Sequence, residues 1–157
     1  MQHRMKTHQL DRAQMEALLS TEQVGTIAVV GADGSPYVTP VHFLYADGQI
    51  HLHGLPKGQR MEAIQQDGRV SFNVYRMDRL LLDEDGKPCD TNTQYQSVII
   101  QGEAALVTDP ARKVQLLKGI VEKYTPHLAD TALPENMVKG TGVVSIRIAQ
   151  MTGKYWM

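Results

Sequence analysis

Two histidines, a lysine and an arginine cluster where an apolar segment gives way to a helical pattern. The segment "IHLHGLPKGQRMEAI" places His51 and His53 two residues apart, and it places Lys57 and Arg60 around Gly58. A helix N-terminus offers unpaired backbone N–H groups and a partial positive charge, so an anion binds there readily. The glycine allows close approach to the backbone, and the basic side chains add charge. The segment predicts a site for a terminal phosphate, although solvated basic residues at an ordinary turn would give the same pattern.

The histidines of this region also raise the question of a metal site. If Asp47 and Gly48 form a two-residue hairpin turn, the register makes His42 face His53. Because side chains alternate along a strand, His51 is expected on the same face, which should point toward something polar. Three imidazoles could hold Zn²⁺, but the sequence places no carboxylate or thiol to support them. The alternative is that these imidazoles contact a ligand or solvent, and we assign no metal ligands.

The elements that must position these residues are mostly strands. Turn signals such as "GADGSP" and "ADGQ" separate short apolar or β-branched segments. Strands are predicted over residues 24–30, 37–45, 50–54, 68–75 and 95–107, the last bent at Gly102 or split there, and a final strand from residue 142 is followed by a tail. Such a pattern favours a mainly β chain, an antiparallel barrel with short helices.

Three helices and one long connection complete the prediction. Helices are expected over residues 11–20, with Asp11 as N-cap, over 58–66, and over 109–124, where Asp109 caps the helix and Pro110 begins it. Residues 76–94 read as a long polar connection, of the kind that forms lids or carries binding residues. Cys89 lies in that connection, and the sequence pairs no histidine with it, so we do not assign it a nucleophilic role.

The bulk properties limit the classes of function. The chain has 157 residues, 42% of them hydrophobic and 21% charged, with a formal net charge of −1. We expect one domain over residues 1–157, with residues 1–20 as an N-terminal helical arm. The near-neutral charge gives no reason to expect nucleic acid or a membrane as partner. A single cysteine excludes an internal disulfide, and with no apolar signal segment we expect a cytoplasmic protein.

Three segments together resemble a known family. They are "DGSPYVTP", "IHLHGLPKGQR" and "CDTNTQYQSVIIQG", followed near the C-terminus by "TGK". In order and spacing they are similar to FMN-binding split-barrel proteins related to pyridoxamine 5′-phosphate oxidase, nearest the branch with the Nim-type nitroimidazole reductases. The resemblance extends over about residues 20 to 155. It implies a six-stranded antiparallel split β-barrel of Greek-key topology with flanking α-helices, a homodimer, and FMN bound at the subunit interface.

The resemblance also implies which residues bind the cofactor. Arg60 would be the main phosphate ligand, in a motif with Lys57, Gly58 and Gln59. The other expected contacts are Thr39, Pro40 and Val41 along the flavin ring, His53 and Gly54 near the ribityl chain and ring, Tyr95 and Ser97 close to the cofactor, and Trp156 reaching the flavin of the partner subunit. Two positions depart from the family pattern, because Gln59 replaces a basic residue and His42 stands where the family often has asparagine.

The function implied by the resemblance is that of an FMN-dependent oxidoreductase. It would reduce a small nitro-aromatic or similar electron acceptor, taking electrons from NAD(P)H or another donor, with His53 as the catalytic residue that orients or protonates the acceptor. FMN is favoured over a deazaflavin because the phosphate segment is ordinary and carries no extra basic residues. Two alternatives stay open: a haem-binding or haem-degrading split-barrel protein in which His42, His51 or His53 ligates iron, and a non-catalytic flavin-binding module.

Overall fold

Six antiparallel strands form a closed barrel in the computed structural model, which describes residues 6–157. The strands are β1 (Val24–Val30), β2 (Pro36–Ala46), β3 (Gln49–Gly54), β4 (Arg69–Leu81), β5 (Asn92–Leu106) and β6 (Gly142–Trp156). Around the barrel they follow the order β1-β2-β3-β6-β5-β4. The helices are α1 (Arg12–Thr21), α2 (Gln59–Gln66), α3 (Pro110–Tyr124) and α4 (Glu135–Gly140). The predicted six-stranded antiparallel barrel with flanking helices is therefore confirmed.

The barrel interior is the main hydrophobic core. Side chains alternate along each strand, so every second residue of β1 and β2 turns inward and the intervening ones turn outward. Phe43 and Phe72 meet edge to face, with ring centroids 5.1 Å apart. Helix α1, capped by Asp11 as predicted, adds the buried Leu18 and Leu19 to this core. Within residues 6–157, no helix combines the length and the apolar character needed to cross a membrane.

The hairpin between β2 and β3 has the predicted turn and register. Asp47 and Gly48 both have positive φ, 52° and 69°, as a two-residue type I′ turn requires. The strand pairing runs from Ala46 opposite Gln49 to Phe43 opposite Leu52. It stops there, so His42 and His53 lie one position beyond the last pair. The Asp-Gly turn was thus enough to predict from the sequence which residues of β2 and β3 pair.

A second layer covers the outer surface of part of the barrel. Helix α3 is capped by Asp109, whose carboxylate accepts a hydrogen bond of 2.7 Å from the backbone N–H of Arg112. Its apolar side packs with α4 and the start of β6 in a separate cluster of buried residues, Leu116, Leu117, Ile120, Val138 and Val143. Leu44 of β2 packs against this cluster from the barrel. The outer face that was expected to point toward something polar is therefore partly buried under α3.

Two strands are longer than the sequence indicated. Residues 76–94 were predicted to be one long connection, but β4 continues to Leu81 and β5 begins at Asn92, which leaves a connection of residues 82–91. The two strands pair beyond the barrel, where Leu80 lies opposite Thr93. This prediction was wrong because the extension carries polar residues on both faces and lacks apolar alternation. The expected C-terminal tail is likewise part of β6, with Trp156 opposite Tyr95.

Candidate functional site

The predicted phosphate segment forms the turn that leads into α2. Gly58 has a φ of 118°, a backbone conformation that side chains other than glycine rarely adopt. No side chain caps this helix, so the backbone N–H groups of its first turn are open to an external acceptor. Lys57 precedes the glycine and Arg60 lies in the first turn. An uncapped helix N-terminus flanked by two cations is a favourable environment for an anion.

A pocket of about 240 Å³ opens at this helix N-terminus. It is lined by Tyr37, Thr39, Leu55, Lys57, Gly58, Gln59, Arg60 and Met61. Arg60 crosses from α2 toward β2, where its Nη1 donates to Thr39 Oγ1 at 3.4 Å. Its Nε is buried and has no hydrogen-bond partner among the described residues. We call this cavity the anion pocket, and it brings together five of the predicted cofactor residues: Thr39, Lys57, Gly58, Gln59 and Arg60.

Two further predicted residues border the anion pocket on β3. A Cβ atom on Gly54 would lie 3.0 Å from Arg60 Nη2, so the absent side chain leaves the guanidinium room. His53 is half-buried, and its Nδ1 is buried without a hydrogen-bond partner in the described part of the chain. Burial is the main cause that lowers the pKa of His53, and the neighbouring side chains of His42 and Arg60 lower it further. His53 therefore favours its neutral form, with one ring nitrogen left for a ligand.

The three histidines do not form one face with one role. His51 is fully buried under the outer layer, where Nδ1 is hydrogen-bonded to Ser145 Oγ at 2.8 Å and Nε2 to the Ala46 carbonyl oxygen at 3.1 Å. Its pKa is lowered chiefly by burial. His42 is exposed and stacks on the Tyr124 ring, with centroids 4.8 Å apart. Over residues 6–157, no three His, Cys, Asp or Glu side chains stand together as a metal-binding group.

The remaining residues of β2 predicted along the flavin ring have different environments. Pro40 is exposed on the outer face of the strand, whereas the Val41 side chain is buried in the barrel core. Only the backbone of Val41 could therefore reach a bound cofactor. Tyr37, which the sequence analysis did not single out, lines the anion pocket. The alternation along β2 could have revealed it, because Tyr37 and Thr39 share a face.

Tyr95, Ser97 and Trp156 lie away from the anion pocket of the same chain. Tyr95 and Ser97 lie on β5, which two other strands separate from β2 in either direction around the barrel. Trp156 lies on β6, beyond residues 142–147, the part of that strand that pairs with β3. Ser97 pairs with Lys154 across the strands and lines a second pocket of about 270 Å³ beneath Gln9 and Leu10. Its hydroxyl is buried and finds no partner among the described side chains and backbone groups. The predicted cofactor residues thus fall into two separate groups on one protomer.

Cys89 is exposed on a short 3₁₀ turn, Pro88–Asp90.

Sequence and structure comparisons define the family. Residues 11–155 match the family model described as pyridoxamine 5′-phosphate oxidase. The chain therefore belongs to this family, and the resemblance seen in its motifs is confirmed. No curated protein matches the chain as a relative.

Solved structures with the same fold include flavin- and haem-binding proteins. A candidate 5-nitroimidazole antibiotic resistance protein from Bacteroides thetaiotaomicron has 22% identity, a TM-score of 0.81, and an alignment covering 93% of this chain and 85% of that one. A flavocytochrome from Azotobacter vinelandii has 22% identity and a TM-score of 0.81, covering 94% and 68%. An FAD- and haem-binding protein from Mycobacterium smegmatis has 18% identity and a TM-score of 0.85, covering 94% and 73%. At these identities the likeness establishes the split-barrel fold.

Proposed function

We propose that this protein is an FMN-dependent oxidoreductase that reduces a small nitro-aromatic or similar electron acceptor. The observation that carries the proposal is the anion pocket at the uncapped N-terminus of α2, with Lys57 and Arg60 beside it. A cofactor that ends in a phosphate matches this combination of open backbone N–H groups and cationic side chains. Membership of the pyridoxamine 5′-phosphate oxidase family supports the same cofactor class.

The residues around the pocket fit the polar end of FMN. Arg60 has a buried Nε without a partner in the described chain, and this donor would gain an acceptor from a phosphate oxygen. Gly58 and the first turn of α2 would supply backbone donors, and Thr39 would supply a hydroxyl. The backbone from Thr39 to Val41 and the open position at Gly54 would then line the ring and its ribityl chain. When bound, FMN supplies the hydride or electron transfer that the side chains of this protein cannot perform.

We infer that the working unit is a homodimer with the cofactor between two subunits. The predicted ring contacts Tyr95, Ser97 and Trp156 lie away from the anion pocket of their own chain, on β5 and at the far end of β6, but a second copy could supply them. The outer surfaces of β1, β4 and β5 carry exposed apolar side chains, among them Val24, Tyr75 and Ile99 at 50%, 51% and 44% exposure. Exposed apolar area of this kind is typical of protein interfaces. A two-fold pair would bury it on both copies.

His53 is proposed to orient the electron acceptor. Its lowered pKa favours a neutral imidazole, and its unpartnered Nδ1 can form one hydrogen bond with a ligand. A nitro group offers two oxygen acceptors and needs no opposite charge. An imidazole beside the cofactor ring would hold such a group in position for reduction, which contributes through proximity and orientation.

The test of this function is reduction of a nitro-aromatic by the FMN-loaded protein. Nitrobenzene consumption with NADH or NADPH as donor would be followed for the unaltered protein and for His53→Ala. We expect turnover by the unaltered protein, and in His53→Ala retained FMN with changed turnover. Retained FMN without turnover by the unaltered protein for any donor would favour the non-catalytic flavin-binding module instead.

A haem-binding role is the second candidate, because one observation favours it. His53 has an imidazole nitrogen without a hydrogen-bond partner in the described residues, which iron could use as a ligand. His51 does not offer this, since both of its ring nitrogens are already hydrogen-bonded. Haem added to the purified protein would show the shifted and sharpened Soret band of imidazole-ligated haem, and His53→Ala would lack this change if this alternative holds. FMN binding with no such band would contradict it.

A further inference from the structure

The second cavity, at β5 and β6, has in its lining a buried polar atom without a partner. The cavity has a volume of about 270 Å³, and Ser97 of β5 lines it. Ser97 is only 4% exposed, and its hydroxyl finds no hydrogen-bond partner among the described residues. A buried hydroxyl without a partner costs free energy, and a ligand with an acceptor atom would remove that cost. We call this cavity the Ser97 pocket.

The strand register places an aromatic and a cationic side chain on either side of Ser97. Side chains alternate along β5, so Val98 turns into the barrel core, whereas Ser97 and Ile99 share the outer face. Tyr75 of β4 lies opposite Ser97 on one side, and Lys154 of β6 lies opposite it on the other. Residues that pair across strands point to the same face of a sheet, so these two side chains flank the serine.

Tyr95 extends this surface along β5. Its ring centroid lies 5.7 Å from that of Tyr75, with an interplanar angle of 31°. The Lys154 ammonium lies 5.8 Å from the Tyr95 ring centroid, so it stands close to the aromatic surface. Two neighbouring rings give a planar ligand an area on which to stack, and the ammonium favours a ligand atom with negative charge density.

Apolar side chains form much of the rest of the Ser97 pocket, namely Leu10, Met15, Ile99 and Met151. Leu10 lies over β6, where its backbone N–H donates to the Gly153 carbonyl oxygen at 3.1 Å. A Cβ atom on Gly153 would lie 2.6 Å from Met15 Cγ, so only glycine lets α1 approach this closely. An engineered apolar cavity of about 150 Å³ holds benzene, so the Ser97 pocket has room for a substituted aromatic ring.

We propose that the Ser97 pocket is a second binding site, separate from the anion pocket, for a small and largely apolar ring molecule that carries an oxygen acceptor. The apolar walls contact the ring, and the Ser97 hydroxyl donates to the oxygen, whose negative polarity the Lys154 ammonium favours. Nitro and carbonyl oxygens have this chemistry, whereas a phosphate or a multiply charged molecule does not suit apolar walls.

One part of this proposal rests on the proposed function, namely that the ring molecule is the electron acceptor of the reductase. In the proposed homodimer, a second copy brings β5 and Ser97 close to the flavin. A ring molecule in the Ser97 pocket would then lie near the group that reduces it. The binding site itself is argued from the described chain alone and does not depend on the cofactor.

Two probes of similar size test the site, because nitrobenzene has oxygen acceptors and toluene has none. Each is titrated into the purified, isotope-labelled protein, and the NMR shifts of the backbone amides of residues 97–99 and 152–154 are followed. Ser97→Ala removes the hydroxyl but no hydrogen bond within the described chain, so the barrel should still fold. Ser71→Ala is the matched control, because Ser71 is an exposed serine of β4 that does not line the Ser97 pocket.

We expect nitrobenzene to bind more tightly than toluene to the unaltered protein and to Ser71→Ala. In Ser97→Ala this preference should fall by about 2- to 12-fold, the range that one hydrogen bond supplies, while toluene binding changes little. Equal binding of the two probes to the unaltered protein, shifts confined to other residues, or an undiminished preference in Ser97→Ala would each overturn the proposal. The comparison of the two probes on the unaltered protein needs no variant.

A further titration separates the Ser97 pocket from the cofactor site. Nitrobenzene is added to the protein after loading with FMN, and we expect the same amides to shift with a similar Kd. Loss of nitrobenzene binding on loading would assign the Ser97 hydroxyl to the flavin ring and overturn a separate site. A protein that retains no FMN would count against the proposed function, and it would leave the result of the first titration intact.

Discussion

Arg60 is the side chain on which the proposed cofactor site most depends. It lines the anion pocket, reaches Thr39, and keeps a buried Nε without a partner among the described residues. Arg60→Ala should weaken FMN binding by about 1.5–3 kcal/mol, the range for a hydrogen bond to a charged group, which corresponds to about a 10- to 150-fold higher Kd. The measurement is titration of the apoprotein with FMN, followed by quenching of flavin fluorescence.

A second arginine provides the control for that titration. Arg69 is an exposed cation whose ion pair with Asp67 lies outside the anion pocket. Exposed ion pairs contribute little to stability, so Arg69→Ala should fold and bind FMN as the unaltered protein does. Equal affinity of Arg60→Ala and Arg69→Ala would remove Arg60 from the site.

At the residue scale, the sequence predicted the turn at Gly58 and the helix after it better than the environments of the histidines. Gly58 and Arg60 could be recognised because the residue type alone is informative: glycine readily adopts a positive φ, and arginine is always charged. The burial of His51 could not be recognised from the sequence. It depends on Ser145 of β6 and on the covering helix α3, and both are distant in sequence. The alternation of side chains along a strand predicted the correct face of β3 for His51, but not the elements that cover that face.

At the scale of the elements, one hydroxyl adds a polar attachment of α3 to β2 beside the apolar contact of Leu44. Tyr124→Phe would remove the partner of the Phe43 backbone N–H and of the Gln23 carbonyl while keeping the ring that His42 stacks on. We expect a loss of about 1–3 kcal/mol in the free energy of unfolding, the cost of leaving the part-buried backbone N–H of Phe43 without its partner. Urea unfolding of both proteins measures it. A variant as stable as the unaltered protein would show that α3 is held by its apolar contacts alone.

The same helix end carries a lysine whose burial gives a pH signature. Burial lowers the pKa of Lys123 to about 8; its ammonium lies 3.9 Å from the Phe43 ring centroid and donates to the Leu19 carbonyl oxygen at 3.2 Å. The unfolded chain keeps the usual lysine pKa of about 10.4. Between these pH values the unfolded state binds more protons, so the contribution of Lys123 to stability rises with pH.

Lys123→Met should therefore change how stability depends on pH. The variant lacks this titration, so its stability relative to the unaltered protein should be greatest near pH 7 and should fall as the pH rises from about 8 toward 10. Thermal unfolding at several pH values measures the difference. A difference that is constant over that range would contradict a lowered pKa for Lys123.

The elements differ in how clearly the sequence marks them. The β2–β3 hairpin and α3 were predicted correctly because Asp47-Gly48 and Asp109-Pro110 act locally, through backbone conformation and capping. The extension of β4 and β5 past the barrel was missed, since polar residues on both faces give no period of two. The short helix α4 was missed because six residues hold too little of a helical pattern.

For the whole molecule, the homodimer is the claim with the most consequences. Ile99 is 44% exposed on β5, so Ile99→Lys should leave the barrel intact but place a charge in the proposed interface. We expect this variant to elute as a monomer in size-exclusion chromatography with light scattering, and to bind FMN more weakly because the partner's ring contacts are lost. Leu128→Lys is the matched control, an equally exposed leucine at 45% beyond α3. Similar elution of both variants and the unaltered protein would contradict an interface at β5.

The most direct test of the account is the visible absorption spectrum of the purified protein, recorded after addition of FMN and gel filtration. The anion pocket at α2 predicts retained flavin bands at about one FMN per chain, since its cationic side chains and open backbone N–H groups suit a phosphate. A protein that leaves the column without flavin would contradict the proposed cofactor, and a Soret band in its place would assign the site to haem and to an imidazole ligand.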